Sequence, residues 1–167
     1  MATEDDRVKA ARRLFATIEA GDGAALLALY AENAVQIEHP NRLKPKGDRR
    51  APAKMVADLA RGKQLLRSER YEILETGASG DLVALQVKWT GVVAVPVGAL
   101  LPGDEMVCER GIFLRFEGDR IVEQHNYDCF EDFSTPRGRD CRKWKGAAPP
   151  GATPSKTVMS GCVSRPS

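Results

Sequence analysis

The sequence has few of the residues that mark metal centres, disulfide frameworks and membrane spans. It contains two histidines and four cysteines in 167 residues, and no two cysteines stand at C-x-x-C spacing. We therefore expect reduced thiols, no metal site and no other cofactor. No apolar run approaches the roughly 18 residues that cross a bilayer. Residues 1–6 are acidic, whereas a secretory signal begins basic and then turns apolar. These absences predict a cytoplasmic protein without a membrane partner.

The apolar content is sufficient for one domain, and the basic charge is concentrated after it. Hydrophobic residues make up 43% of the chain, which is enough for a single core at this length. Residues 134–167 hold seven basic residues and one acidic residue among many prolines and glycines. We predict a domain over 1–133 and a disordered basic tail over 134–167. The tail has one aromatic residue, Trp144, and no folded basic motif, so a nucleic-acid partner is not expected.

Helical periodicity marks three helices in the first 62 residues. Thr3 followed by Asp6 resembles a capping box, and apolar residues then recur at helical spacing. Asp22 is placed to cap a second, shorter helix, and Pro52 fits the first turn of a third. A short strand over 34–38 is predicted between the second and third helices.

The remaining part of the domain alternates with a period of two. This pattern predicts strands at about 69–76, 82–95, 105–116 and 120–128. Short turns rich in Gly and Asp join them, which is typical of an antiparallel meander. Helices on one face of a strongly bent sheet would enclose a cavity, so the predicted class is α+β with a pocket.

Several short motifs follow one another in a characteristic order. They are Gly21-Asp22 between two helices, Leu29-Tyr30-Ala31-Glu32-Asn33-Ala34, the turn Glu38-His39-Pro40, and a last strand with Ile121-Val122-Glu123 and Asn126-Tyr127. Over about residues 7–133 this order resembles the NTF2-like superfamily, and most closely its SnoaL-like branch. Residues 124–130 look like the ending of a bacterial group of unassigned activity. The resemblance implies a cone of three N-terminal helices on a curved, mainly antiparallel sheet that encloses a pocket. It also implies a homodimer through the outer sheet face.

The superfamily contains several chemistries, and each can be compared with this sequence. It includes ketosteroid isomerases, polyketide cyclases, limonene epoxide hydrolases and dehydratases, besides transport factors and modules that only associate. The isomerase resemblance places its two oxyanion donors at Leu14 and Ile112, which cannot donate. The epoxide hydrolase pattern Arg-x-Asp is replaced by residues 86–89, Gln-Val-Lys-Trp. The acid of SnoaL-type cyclases falls at Cys129, beside Asp128.

The base position of the isomerases falls on one of two neighbouring residues. Counting without a gap gives Glu38, and anchoring on the following proline gives His39. If Val35 and Ile37 face the core, strand alternation turns His39 inward and Glu38 outward. On this basis we predict His39 as the catalytic base, because an imidazole can accept a proton at neutral pH.

The last strand and its neighbours supply the other candidates. Asp128 is predicted as the catalytic acid if an apolar pocket raises its pKa, although a regular strand would turn it away from the pocket. A bulge would restore it. Alternation favours an inward Arg110 that pairs with Asp128 or with an acidic ligand. The predicted ligand-binding residues are Tyr30, Asn41, Trp89, Arg110, Asn126 and Tyr127.

Two functions from different classes follow from these residues. The first is an enzyme that binds a small, largely apolar, carbonyl-bearing molecule and transfers a proton by isomerisation, cyclisation or dehydration. The second is a non-catalytic NTF2-like module that binds a ligand or forms a dimer. The missing oxyanion donors favour the second function, and a histidine directed at the pocket favours the first.

Overall fold

Three helices and a six-stranded sheet make up the computed structural model, which describes residues 2–134. The helices are Glu4–Ala20 (α1), Gly23–Leu29 (α2) and Pro52–Leu65 (α3). The strands are Tyr30–Glu38 (β1), Asp48–Arg50 (β2), Leu66–Ser79 (β3), Leu82–Val93 (β4), Glu105–Glu117 (β5) and Arg120–Phe130 (β6). Within this part of the chain, no helix is both long and apolar enough to cross a membrane. The tail predicted over 134–167 lies outside the described residues, except for Ser134.

The helix ends form as the capping residues predict. The Thr3 side chain accepts a hydrogen bond from the Asp6 backbone N–H, and the Asp6 carboxylate accepts one from the backbone of Thr3. Gly21 ends α1 with φ of 72°, a left-handed conformation that glycine adopts without a steric penalty. Asp22 then accepts a hydrogen bond from the Ala25 N–H, 2.9 Å away, and begins α2.

The strands form one mixed sheet with the order β2-β1-β6-β5-β4-β3. The run from β3 to β6 is the predicted antiparallel meander, whereas β1 lies parallel to β6 and β2 pairs antiparallel with β1. The predicted α+β class is confirmed, and the sheet is strongly curled without closing. The main core forms between the helices and the concave face, around Leu14, Phe15, Val83, Val87, Leu114, Phe116 and Ile121.

One extra residue in β6 determines which of its side chains face inward. Phe116 of β5 pairs with Ile121, but the next residue back, Arg115, pairs with Glu123. Val122 is therefore the extra residue of a bulge. Because side chains alternate with a period of two, the bulge shifts the inward set from odd-numbered to even-numbered positions. As a result, residues 124, 126 and 128 face the concave side, and residues 125, 127 and 129 face the outer side.

Candidate functional site

A cavity of about 230 Å³ lies between the helices and the concave face of the sheet. The helices line it mainly with apolar side chains, namely Phe15, Ile18, Leu26, Met55 and Leu59. The strands line it mainly with polar groups, namely Tyr30, Gln36, Glu38, Arg50, Glu69, Tyr71, Arg110, Gln124, Asn126 and Asp128. A ligand would therefore meet an apolar surface on one side and hydrogen-bonding groups on the other.

Asp128 is a buried carboxylate in the wall of this cavity. Its side chain is only 3% exposed, and the bulge at Val122 turns it inward. Arg110 Nε lies 3.5 Å from Asp128 Oδ1, and neither atom has a hydrogen-bond partner among residues 2–134. Burial raises the pKa of Asp128, Arg110 partly opposes this, and the negative charge of Glu38 adds to the increase. A carboxyl group in this state suits general acid–base chemistry.

Arg110 is held between aromatic rings beside Asp128. Its guanidinium carbon lies 5.0 Å from the centroid of the Trp89 ring and 5.6 Å from that of Tyr71. Such cation–π contacts help to stabilise a charge that is largely removed from water. Trp89 itself is buried and donates from Nε1 to Glu69, at 3.1 Å. Trp89 therefore supports Arg110 from the side of the core.

Glu38 also faces the cavity, but its oxygens are fully engaged. It accepts hydrogen bonds from Asn41 Nδ2 and Lys44 Nζ, both at 2.9 Å, and from Arg50 at 2.7 Å. Burial alone would raise the pKa of Glu38, but these hydrogen bonds and the charges of Arg50 and Lys44 lower it below its ordinary value. Glu38 is therefore an ionised anchor for the loop over 39–47 and for β2. Asn41, predicted as a ligand-binding residue, is part of this anchor and does not line the cavity.

The predicted orientation of β1 was wrong. Gln36 and Glu38 line the cavity, while Val35 and Ile37 are half-buried on the outer face. Val35 and Ile37 cover the outer face because the concave face at this point is a polar wall with its own ion pairs. His39 lies on the outer face, as Val35 and Ile37 do. The predicted role as catalytic base required a position facing the cavity, which His39 does not have.

His39 lies in an aromatic cluster on the outer face. Its ring stacks on Tyr127 with 4.0 Å between centroids, and its Nε2 lies 3.0 Å from His125 Nδ1. Tyr127, predicted as a ligand-binding residue, is 45% exposed and lies on this outer face instead. A regular β6 would have turned Tyr127 inward, so this correction also follows from the bulge.

Two other predicted ligand-binding residues, Tyr30 and Asn126, line the cavity. Tyr30 is buried, and its hydroxyl donates to Gln124 Oε1. Gln124 in turn donates from Nε2 to Asn126 Oδ1, 2.8 Å away. This chain of hydrogen bonds joins β1 to β6 and fixes the amides beside Asp128.

Sequence reasoning missed Tyr71, Glu69 and Arg50. Tyr71 and Glu69 stand two residues apart on β3, so they share the cavity face. That spacing is visible in the sequence, but nothing in it indicates that this stretch of β3 lies over the cavity. Arg50 comes from the three-residue β2, a strand that is not among those predicted from the sequence. Residues 2–134 contain no group of three or more metal-binding side chains.

Comparisons with known proteins agree with this architecture. IdmH from Streptomyces antibioticus, proposed to be a polyketide cyclase, is 20% identical with a TM-score of 0.63, over 73% of this chain and 91% of that one. An LEH-like epoxide hydrolase of M. tuberculosis is 16% identical with a TM-score of 0.57, over 77% and 84%. An NTF2-like protein of unknown function from Burkholderia pseudomallei is 16% identical with a TM-score of 0.61, over 78% and 92%.

These likenesses show the fold and leave the activity open, and no curated protein matches the chain. The family evidence comes from the sequence itself. Residues 11–124 match the family model of the SnoaL-like domain, which is more than half of the chain. This match shows that the chain belongs to the SnoaL-like family, and the helices and the curled sheet give it the NTF2-like fold.

Proposed function

We propose that the chain binds a small carbonyl-bearing molecule in its cavity and catalyses proton transfer of the isomerase or cyclase type, with Asp128 as acid and base. The observation that carries this proposal is the buried Asp128 carboxylate, whose Oδ1 has no hydrogen-bond partner among residues 2–134 and whose pKa is raised by burial. Membership of the SnoaL-like family and the likeness to IdmH support the same class of reaction.

The cavity charges favour a neutral ligand. Lys44 and Arg50 are both paired with Glu38, and Arg50 also reaches Asp58 at 3.4 Å. Arg110 is matched by Asp128. Since each cation already has a carboxylate nearby, an anionic ligand would have to displace one of these pairs. A neutral molecule with an apolar body and one oxygen-bearing edge suits the cavity better.

The proton moves between the ligand and the Asp128 carboxylate. Asp128 takes a proton from the carbon beside the carbonyl, the C–H electrons form a C=C bond, and the carbonyl π electrons move onto oxygen. In an isomerisation, a ligand with a β,γ C=C bond gives a dienolate, which takes the proton back from Asp128 at the γ-carbon as the double bond moves to the α,β position. In a cyclisation the enolate carbon attacks a second carbonyl of the same ligand, and Asp128 returns the proton to the new alkoxide. A carboxyl whose pKa moves towards neutral pH serves in both directions.

The test combines ligand binding with proton exchange. We would measure thermal shifts with apolar ketones and follow by NMR the exchange of their α-protons in D₂O. Asp128→Asn should lower the exchange rate on the order of 10²–10⁴-fold, with affinity for the ketone changed by less than about threefold. Glu123→Gln is the matched control, because Glu123 is a carboxylate of the same strand on the outer face.

The outcomes separate the two functions. Exchange that survives Asp128→Asn would refute the role of Asp128. Ketone binding without any exchange in the native protein would favour the alternative, a ligand-binding or dimerisation module without catalysis.

A further inference from the structure

A proton-transfer reaction of this type develops negative charge on the ligand oxygen, and a donor must stabilise it. The two positions at which the isomerase resemblance places such donors hold Leu14 and Ile112, which are fully buried apolar side chains. The donor therefore has to come from another element. Two tyrosine hydroxyls, those of Tyr30 and Tyr71, are carried by residues that line the cavity.

The Tyr30 hydroxyl already takes part in a buried hydrogen bond. It donates to Gln124 Oε1, and Gln124 is held in turn by its own hydrogen bond to Asn126 at 2.8 Å. Releasing the Tyr30 hydroxyl would leave a buried acceptor unpaired, which costs about 1–3 kcal/mol. Tyr30 is consequently a structural link between β1 and β6.

The Tyr71 hydroxyl is much less engaged. The only hydrogen bond recorded for it among residues 2–134 runs to Glu69 Oε2 at 3.4 Å, longer than the usual range of about 2.5–3.0 Å. Glu69 has better partners, since Trp89 Nε1 donates to the same oxygen at 3.1 Å and Lys63 Nζ lies 3.2 Å from the other. Glu69 therefore remains satisfied if the Tyr71 hydroxyl turns towards a ligand.

The Tyr71 ring is also held in place. Phe15 of α1 stacks on it with 5.0 Å between centroids and an interplanar angle of 21°. The Arg110 guanidinium carbon lies 5.6 Å from its centroid. Burial raises the pKa of Tyr71, against the influence of Arg110, so the hydroxyl keeps the proton that it would donate. A donor fixed in this way loses little entropy when charge develops.

Tyr71 and Asp128 approach the cavity from different strands. β3 and β6 are separated in the sheet by β4 and β5, yet the curvature brings both residues to the wall of one cavity. Arg110 lies next to both, with Nε near the Asp128 carboxylate and the guanidinium near the Tyr71 ring. This arrangement allows one ligand carbonyl to meet a hydroxyl while its neighbouring carbon meets a carboxylate.

We propose that Tyr71 is a catalytic residue whose hydroxyl donates a hydrogen bond to the ligand's carbonyl oxygen and stabilises the enolate that forms when Asp128 removes the α-proton. The inference rests on the proposed function and adds the hydrogen-bond donor that the carbonyl oxygen of the ligand requires. No electrons leave the ligand, because the C–H pair moves into the C=C bond and the carbonyl π pair moves to oxygen. The proton stays on Asp128 until it returns to the ligand.

The experiment uses 2-tetralone, an apolar ketone with exchangeable α-protons, and the full-length protein. Tyr71→Phe should lower the rate of α-proton exchange about 10²–10³-fold, as expected for loss of one oxyanion donor, with the dissociation constant changed by less than about threefold. The infrared carbonyl stretch of bound 2-tetralone should move to higher wavenumber in the variant, because it reports the hydrogen bond directly. Tyr127→Phe removes a hydroxyl from the outer face and should change neither readout.

The two proposals fail in different ways. Exchange that is lost in Asp128→Asn but unchanged in Tyr71→Phe, with an unshifted carbonyl stretch, would overturn the role of Tyr71 and leave proton transfer standing. Absence of exchange and of any bound carbonyl signal in the native protein would overturn the carbonyl-binding proposal and this inference with it. A folding defect in Tyr71→Phe would appear as a lower Tm, and the carbonyl stretch of the folded fraction would still decide the question.

Discussion

Replacing Glu38 with glutamine tests whether this residue anchors the cavity rim, as its contacts indicate. The Glu38 side chain is 8% exposed and accepts hydrogen bonds from Asn41, Lys44 and Arg50. The substitution keeps the shape and removes the charge that holds two cations. Because the anchor fixes the loop over 39–47 and β2, we expect a loss of stability for the whole domain.

The size of this loss of stability depends on the carboxylates that remain near Lys44 and Arg50 after the substitution. Removing one member of a buried ion pair typically costs about 3–5 kcal/mol. Here Arg50 keeps Asp58 at 3.4 Å and Lys44 keeps Asp48 at 3.0 Å, so neither cation is left without a carboxylate. The glutamine oxygen of Glu38→Gln can still accept one hydrogen bond. We therefore expect a decrease of about 2–3 kcal/mol in the free energy of unfolding, or roughly 6–12 °C in Tm.

The pH dependence gives a second signature of the same contact. The pKa of Glu38 is lower in the folded state than its ordinary value of 4.5, so the unfolded chain binds more protons as the pH falls. The stabilisation by Glu38 is then fully present above the ordinary pKa and is lost as the pH falls through the folded pKa. The difference between the native protein and Glu38→Gln should therefore stay constant from neutral pH down to the ordinary pKa of 4.5 and shrink as the pH falls further.

Urea denaturation followed by circular dichroism measures both effects, with linear extrapolation at each pH. Lys9→Gln is the control, because Lys9 pairs with Asp5 on the surface, where both side chains are mostly exposed. Loss of that pair should leave the free energy of unfolding nearly unchanged. A loss below about 1 kcal/mol for Glu38→Gln, or one that does not change with pH, would refute the anchoring role.

Two further predictions concern the sheet. Gly91→Ala should destabilise the protein by about 1–3 kcal/mol in urea denaturation, because the new Cβ would lie 2.5 Å from an atom of the buried Trp89 ring. In Gly111→Ala the nearest atom, in Tyr127, is 3.8 Å away, so this variant is the control, and equal losses would count against the packing argument. If the outer face pairs two copies, as the family resemblance implies, Phe113→Lys should halve the mass measured by light scattering, since Phe113 is exposed there. A monomeric mass for the native protein would contradict the predicted homodimer.

The sequence determined the local structure of this protein to a large extent. Thr3 with Asp6, and Gly21 with Asp22, mark the helix ends in both the sequence and the structure, because caps depend on hydrogen bonds between residues a few positions apart. The antiparallel meander was equally predictable, since alternation and short turns are local signals. A cavity between the helices and the sheet followed from the order of these elements and from the family resemblance.

Only the tertiary structure decided which side chains meet in the cavity. One extra residue, Val122, exchanges the two faces of β6, so Asp128 points inward and Tyr127 points outward. In β1 the polar Glu38 turns inward because cations from β2 and its loop neutralise it, which leaves His39 outside. The periodicity of a strand gives two faces but does not say which is inner. That choice depends on register, bulges and ion pairs between residues that are distant in the chain.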